Sequence, residues 1–282
     1  LQAGYRHIDC ASGYANEQEV GEALKASGIP REQLWITSKL WNDRWLDVQQ
    51  ACQESLDKLG LSYLDLYLVH WPYALKRNHP KPWSKEDMLD IQLVQVWRQM
   101  CELVKAGKAR NIGVCNVSVR RLEELAAADP TLQPPDVIQV ELHPWLPQVG
   151  LCDYCAAHGI HVTAYSALGS ADRPSGRFFG DSDQARLLDD ALLIEIASKH
   201  HASSAQVALR WGVLRGTSVL AKSVKPAHIV DNFKGAIELS LSDEEVKRIT
   251  EAGEAKKRRF VTHTGTTDFN HLPVGHMQWL WD

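Results

Sequence analysis

The sequence predicts an α/β protein of the (β/α)8 barrel type, and three observations point there. Short apolar or β-branched runs alternate with helical patterns along the chain, which implies a parallel sheet with helices packed outside it. No G-x-G-x-x-G follows the first strand and no G-x-x-x-x-G-K-[ST] occurs, so the open, doubly wound alternative lacks its phosphate-binding turn. Two long connections, 71–87 and 166–189, follow strands directly, as do the loops that build the C-terminal face of a barrel.

In chain order, the first strand is expected over 5–9, followed by a helix over 17–27. Strand 34–38 leads to helix 48–59, strand 64–70 to helix 88–105, and strand 111–115 to helix 119–127. Strand 137–141 precedes helix 150–157. Strand 161–165 precedes a helical stretch over 191–214 that breaks near 201–203. Strand 218–221 and helices 227–236 and 243–251 complete the pattern. Seven strands are counted where a barrel has eight. Leu1-Gln2-Ala3-Gly4 reads as a helix tail with its glycine stop, so an N-terminal hairpin and the first strand are expected to be missing upstream of Leu1. The chain reads as one barrel domain over 1–282, with 256–282 as a C-terminal tail.

Composition narrows the function classes. Of 282 residues, 44% are hydrophobic and 23% charged, as in globular proteins, which excludes a disordered or fibrous chain. A net charge of −4 leaves no basic excess for a nucleic-acid backbone, and no apolar run is long enough to span a membrane. Six cysteines are too sparse for a disulfide scaffold, and no secretory signal pattern is present, so a cytoplasmic location is expected. Cys152-Asp153-Tyr154-Cys155 formally matches a zinc or redox half-site. No second pair completes it, and two small residues three apart share a helix face, so the structural reading is favoured.

The polar groups fall where the strands stop, which is where barrel catalysis is located. The first strand ends in Asp9, with Tyr14 in the Ser-Gly-Tyr turn beyond it. The second ends at Ser38-Lys39, and the third at His70-Trp71-Pro72. A phenol is a poor acid near neutrality; a neighbouring ammonium favours the phenolate, a carboxylate holds the ammonium, and a histidine donates to a carbonyl oxygen. The set suits protonation of an oxygen as it becomes an alkoxide.

Gly4-Tyr5-Arg6-His7-Ile8-Asp9-Cys10-Ala11, with Tyr14 and Asn16-Glu17, resembles the first signature of the aldo-keto reductases. Ile36-Thr37-Ser38-Lys39-Leu40-Trp41, Asp65-Leu66-Tyr67-Leu68-Val69-His70-Trp71-Pro72, Gly113-Val114-Cys115-Asn116, Gln139-Val140-Glu141-Leu142-His143-Pro144, Thr163-Ala164-Tyr165-Ser166 and Ala221-Lys222-Ser223-Val224 resemble later segments of that family, in order. The resemblance, to the aldose and aldehyde reductase branch, implies a (β/α)8 barrel that reduces an aldehyde or ketone, such as a sugar aldehyde or reactive carbonyl, with NADPH or sometimes NADH. It implies Tyr14 as general acid, Lys39 as the residue lowering its pKa, Asp9 as the lysine's partner and His70 as the carbonyl-orienting residue. Asn116 and Gln139 resemble the nicotinamide carboxamide pair, and Tyr165 the ring stacked on the nicotinamide. Ser166, Leu168, Ser170 and Asp172 resemble the belt over the pyrophosphate, and Lys222 and Ser223, assisted by Asn232, the 2′-phosphate contacts. A monomer is the family's default.

Cys115 stands where most members have Ser, Ala221 where most have Pro, Asp231 where Glu is usual, and His228 where Arg is usual; Lys225 partly compensates for the last charge. Trp41 and Trp71, beside Lys39 and His70, are expected to wall the substrate pocket. Trp83, Phe269, Trp279 and Trp281 lie on the long loop or the tail, and of these Trp279 is taken as a substrate contact. Trp35, Trp97 and Trp211 are expected in the core, and His143-Pro144 is read as structural. Lys256-Lys257-Arg258-Arg259 reads as a solvated helix end rather than a nuclear signal, and the sequon Asn116-Val117-Ser118 is set aside because it falls in the pocket. Two rivals remain open. A barrel glycosidase would use a carboxylate pair, for which Asp9 and Glu141 are the loose candidates. A non-catalytic family member would keep the cofactor motifs while tolerating loss of a catalytic residue, and all four are present.

Overall fold

The computed structural model describes residues 1–78, 85–170 and 185–261; Trp83, Asp172, Phe269, Trp279 and Trp281 lie outside the described residues. Two compact units divide the chain, one running through Ile138 and the other beginning at Gln139.

The first unit begins β1 (His7–Asp9), α1 (Glu17–Ser27), β2 (Trp35–Leu40), α2 (Val48–Leu59), β3 (Leu64–Val69). A short antiparallel pair, β4 (Ala74–Leu75) and β5 (Met88–Leu89), precedes α3 (Leu93–Lys105), β6 (Ala109–Cys115) and α4 (Val119–Ala128). The sheet runs β1-β2-β3-β6, all parallel. All six residues of β3 are buried, which explains why it is apolar at every position but Asp65: a strand buried on both faces has no solvent face to mark by alternation. The one acid in β3, Asp65, is neutralised by the Arg31 guanidinium at 2.6 Å and accepts the Ile36 N–H at 2.9 Å.

Backbone approach is close in this unit. A Cβ at position 113 would collide with the Val137 carbonyl oxygen, so β6 accepts only glycine there. In α1, a Cβ at Gly21 would stand 2.6 Å from the Leu59 carbonyl oxygen, so glycine lets α1 lie directly on the end of α2. Both helices stop at left-handed glycines, Gly28 and Gly60.

Two expectations are corrected here. Residues 88–105 are not one helix: Met88 and Leu89 pair with Ala74 and Leu75, and the helix starts at Leu93, after Gln92 donates its N–H to Gln95 Oε1 at 2.8 Å. A short apolar run has no periodicity that separates strand from helix. Trp35 is 38% exposed instead of core, because it is the first residue of β2 and lies edge-on to the ring of His7. Trp97 and Trp211 are buried as expected.

The chain enters the second unit within β7 (Val137–Glu141) and continues through α5 (Val149–Ala157), β8 (His161–Tyr165), α6 (Ala191–Lys199), α7 (Ser204–Leu214), β9 (Ser218–Val219), α8 (Pro226–Glu238) and α9 (Asp243–Lys256). Its strand order is β7-β8-β9, with Thr163 opposite Ser218 in parallel register. Local chemistry sets the helix starts: the Asp190 carboxylate accepts the N–H groups of Leu192 and Leu193, Ser203 caps α7, Pro226 opens α8, and Ser242 with Glu245 forms a reciprocal capping box on α9. The expected break at 201–203 is the α6–α7 junction, where His201 is left-handed. Lys256 ends α9, paired to Asp190, with Lys257 in the left-handed cap position; Arg258 and Arg259 lie beyond the helix, and Arg259 is not solvated as expected, because its side chain turns inward to 3.8 Å from Glu141. On α5, Cys155 is fully buried and Cys152 partly so. Among the described residues no helix is long and apolar enough to cross a membrane.

Candidate active site

Asp9, Lys39 and Tyr14 meet at the carboxyl ends of β1 and β2. The side chain of Lys39 is wholly buried, and its ammonium donates to Asp9 Oδ1, to the Cys10 carbonyl oxygen at 2.8 Å and to the Tyr14 hydroxyl at 3.3 Å. Parallel pairing of β1 with β2 sets Asp9 opposite Thr37, so the carboxylate and the lysine leave neighbouring strands near the same rim. Burial works against the lysine's charge, but the Asp9 carboxylate, with smaller help from Tyr14 and Cys115, raises its pKa above the ordinary lysine value. Lys39 therefore stays an ammonium.

Tyr14 closes the turn Ser12–Tyr14, which is anchored where Ser12 Oγ donates to the Lys39 carbonyl oxygen at 3.0 Å. The Trp41 ring lies over Gly13, where a Cβ would stand 2.6 Å from a ring carbon. Ser12 and Gly13 are thus supporting residues that the sequence reading passed over; the Ser-Gly pair directly before Tyr14 is the signal. The expectation that Lys39 lowers the tyrosine's pKa holds for the lysine's own effect and fails for the sum. Burial of the hydroxyl raises the value by more than the ammonium lowers it, and Asp9 and Cys115 add to the rise. The ring remains half exposed at 51% while its hydroxyl sits among packed groups. Tyr14 is accordingly a protonated phenol with a cation beside it.

His70 directly follows β3 and joins this group through rings: 5.7 Å edge-on to Tyr14, 5.0 Å edge-on to Trp41, and stacked at 6.4 Å on Trp71. The two tryptophans therefore flank the histidine. Asn116, left-handed at the end of β6, donates its amide to the His70 carbonyl oxygen at 2.9 Å and so also ties down the histidine's backbone. Burial pushes the Cys115 thiol well up, against the pull of Lys39, so it is a neutral wall group.

In the second unit, Gln139 is buried on β7 and Tyr165 ends β8. Ser166 and Ser170 are both left-handed, and their hydroxyls are 2.7 Å apart with Leu168 between them. Lys222 and Ser223 lie between β9 and α8, where Ser223 Oγ accepts the Lys225 N–H at 3.1 Å; Asn232 is buried within α8. An exposed lysine and a serine before a helix that opens with proline form a donor set suited to phosphate. Within this unit, the serines of the tight loop and this cationic turn offer donors of the kind that phosphate groups take.

Asp9 and Glu141 do not make a glycosidase pair. Asp9 is committed to Lys39. Although burial raises the pKa of Glu141, hydrogen bonds from His143 and from main-chain N–H groups, with Arg259 nearby, hold it below the usual carboxylate value. A glycosidase acid needs the opposite shift.

Comparison with known proteins gives a consistent result. The model of the Aldo/keto reductase family matches residues 1–254. The chain is 42% identical to the aldehyde reductase YPR1 of Saccharomyces cerevisiae, over 83% of this chain and 75% of that protein. It is 38% identical to aldo-keto reductase family 1 member A1 of Homo sapiens, over 98% and 86% of the two chains. Glycerol 2-dehydrogenase (NADP(+)) of S. cerevisiae is 38% identical over 95% and 85%. The solved structure of aldose reductase from Schistosoma japonicum aligns with a TM-score of 0.81 at 34% identity, covering 95% of this chain and 87% of that one. The match and the likeness together imply a (β/α)8 barrel.

Proposed function

The chain belongs to the aldo/keto reductase family, and from that premise we propose that it reduces an aldehyde or reactive ketone to the alcohol with NADPH, Tyr14 giving the proton. The chain is an oxidoreductase of CH–OH and C=O groups that works with a nicotinamide cofactor. The finer reading rests on one observation above all: the Lys39 ammonium, buried and held by Asp9, stands 3.3 Å from the Tyr14 hydroxyl.

When bound, the reduced nicotinamide supplies a hydride to the carbonyl carbon. The protein's residues manage the oxygen. His70, steadied by Trp41, Trp71 and the Asn116 amide, orients and polarises the carbonyl through its ring. Tyr14 keeps its proton near neutrality and delivers it as negative charge builds on the oxygen. The resulting phenolate is stabilised by Lys39, whose charge Asp9 keeps in place. Asn116, Gln139 and Tyr165 are assigned to the nicotinamide, Ser166, Leu168 and Ser170 to the pyrophosphate, and Lys222, Ser223 and Asn232 to the adenosine 2′-phosphate. Lys222 and Lys225 favour NADPH, while His228 gives up the fixed charge of an arginine, so NADH is the weaker alternative. Trp41 and Trp71 suit apolar or stacking carbonyl compounds, and relatives named for aldehyde and aldose reduction extend the class to sugar aldehydes. We take the protein to act as one barrel domain, as a monomer, in the cytoplasm.

The test is a panel of aromatic, aliphatic and sugar aldehydes, with consumption of NADPH or NADH followed by absorbance. Aldehyde-dependent oxidation faster with NADPH supports the reading. No turnover of any aldehyde with either cofactor would overturn it.

A further inference from the structure

Glu141 has no part in the proton chemistry, yet it is among the most heavily bonded carboxylates described. It is wholly buried at the end of β7, two residues beyond Gln139. One oxygen accepts from the ring Nε2 of His143 at 2.9 Å and from the Phe260 N–H at 2.6 Å; the other accepts the Val261 N–H at 2.9 Å. Arg259 approaches it at 3.8 Å. Most of this bonding secures main chain more than a hundred residues away, just past the end of α9.

The secured stretch has a face. The Phe260 ring lies 4.9 Å from the His143 ring and 5.8 Å from Trp145, while the Arg258 N–H donates to the Trp145 carbonyl oxygen at 2.8 Å. The far edge of Phe260 reaches Gly169, where a Cβ would stand 3.0 Å from Phe260 Cε2 and 2.6 Å from Leu187 Cβ. Gly169 sits in the loop after β8, where Ser166, Gly169 and Ser170 all have positive φ, at 52°, 74° and 47°. Two of these are serines, for which that backbone is costly, and such a loop keeps its shape only when its surroundings impose it. Phe260 and Leu187 are the packed surroundings of its middle.

We propose that Glu141 is a positioning residue for cofactor binding: by holding the main chain of Phe260 and Val261 it seats the Phe260 ring under Gly169 and fixes the loop of Ser166, Leu168 and Ser170. The inference rests on assigning that loop to the cofactor. It predicts a split in which cofactor affinity depends on Glu141 while the chemical step does not.

Two variants test it. Glu141→Gln turns one acceptor into a donor facing a main-chain N–H, and Val261→Pro removes one of the N–H groups while leaving Glu141 intact. Wild type is first shown to bind NADPH, by quenching of tryptophan fluorescence; no binding there would overturn the parent assignment and this one with it. Hydrogen exchange at the Phe260 amide then reads the latch without catalysis. Both variants are expected to speed that exchange and weaken NADPH by about tenfold, the scale of one lost charge-assisted hydrogen bond, with kcat on a small aldehyde at saturating cofactor within about twofold of wild type. Unchanged NADPH affinity beside faster exchange would overturn the proposal, as would unchanged exchange, or a kcat that falls as far as the affinity.

Discussion

Replacing Lys39 by Met separates the structural from the chemical role of the buried ammonium. Methionine fills nearly the same volume but donates nothing, so the contacts to Asp9, the Cys10 carbonyl oxygen and the Tyr14 hydroxyl are all lost. Removing one partner of a buried ion pair costs about 3–5 kcal/mol, mostly because the other charge is left unpaired. The Asp9 side chain is 11% exposed, so water relieves part of that penalty. The lower end, about 3 kcal/mol, is therefore expected, which for a chain of this size lowers Tm by about 5 °C. Adding Asp9→Asn removes the orphaned charge and should recover most of the stability. Reduction should stay depressed by about a hundredfold or more in both proteins, since the phenolate has lost its cation. Thermal melts by circular dichroism and NADPH consumption measure the two arms. A Lys39→Met protein that melts with wild type, or a double variant no more stable than the single, would refute the reasoning about the pair. Full activity in either would refute its chemical role.

Gly113→Ala should cost about 2–3 kcal/mol in chemical denaturation, because β6 has no room for a Cβ beside Val137, whereas Gly150→Ala, with nothing within 4 Å, should stabilise by about 0.5 kcal/mol. Glu245 gives a pH signature. Burial raises its pKa, but hydrogen bonds from Lys199, Ser242 and His200 win and lower it to about 2. Because the folded value lies below the unfolded one of about 4.3, its stabilisation is complete above that pH and fades as pH falls towards 2. Glu245→Gln should therefore cost about 2–3 kcal/mol at pH 7 and almost nothing at pH 2, by denaturant titration at the two pH values.

The sequence reading reached furthest where local pattern and chemistry coincide. β3 is legible because a strand buried on both faces is apolar at nearly every position, and Asp9, Lys39 and His70 because each lies at or beside the carboxyl end of a strand. The α6–α7 break follows from the same kind of local signal. What escaped depends on distant partners. β5 forms because Met88 and Leu89 find Ala74 and Leu75, and the four residues carry no turn signal of their own. Trp35 is exposed because of its place at the strand's first position, which its residue type does not reveal. The net upward shift at Tyr14 comes from desolvation, a property of the packed site. From sequence, Glu141 is only a loose acid candidate, because its partners Phe260 and Val261 lie more than a hundred residues away.

The central claim is that Tyr14 is the proton donor of a nicotinamide-dependent carbonyl reduction. The most direct test measures Tyr14→Phe for NADPH affinity by fluorescence and for aldehyde reduction by absorbance. Removing the hydroxyl should leave cofactor affinity within about twofold while the reduction rate falls by about a hundredfold or more. Wild-type reduction by the phenylalanine variant would contradict the account.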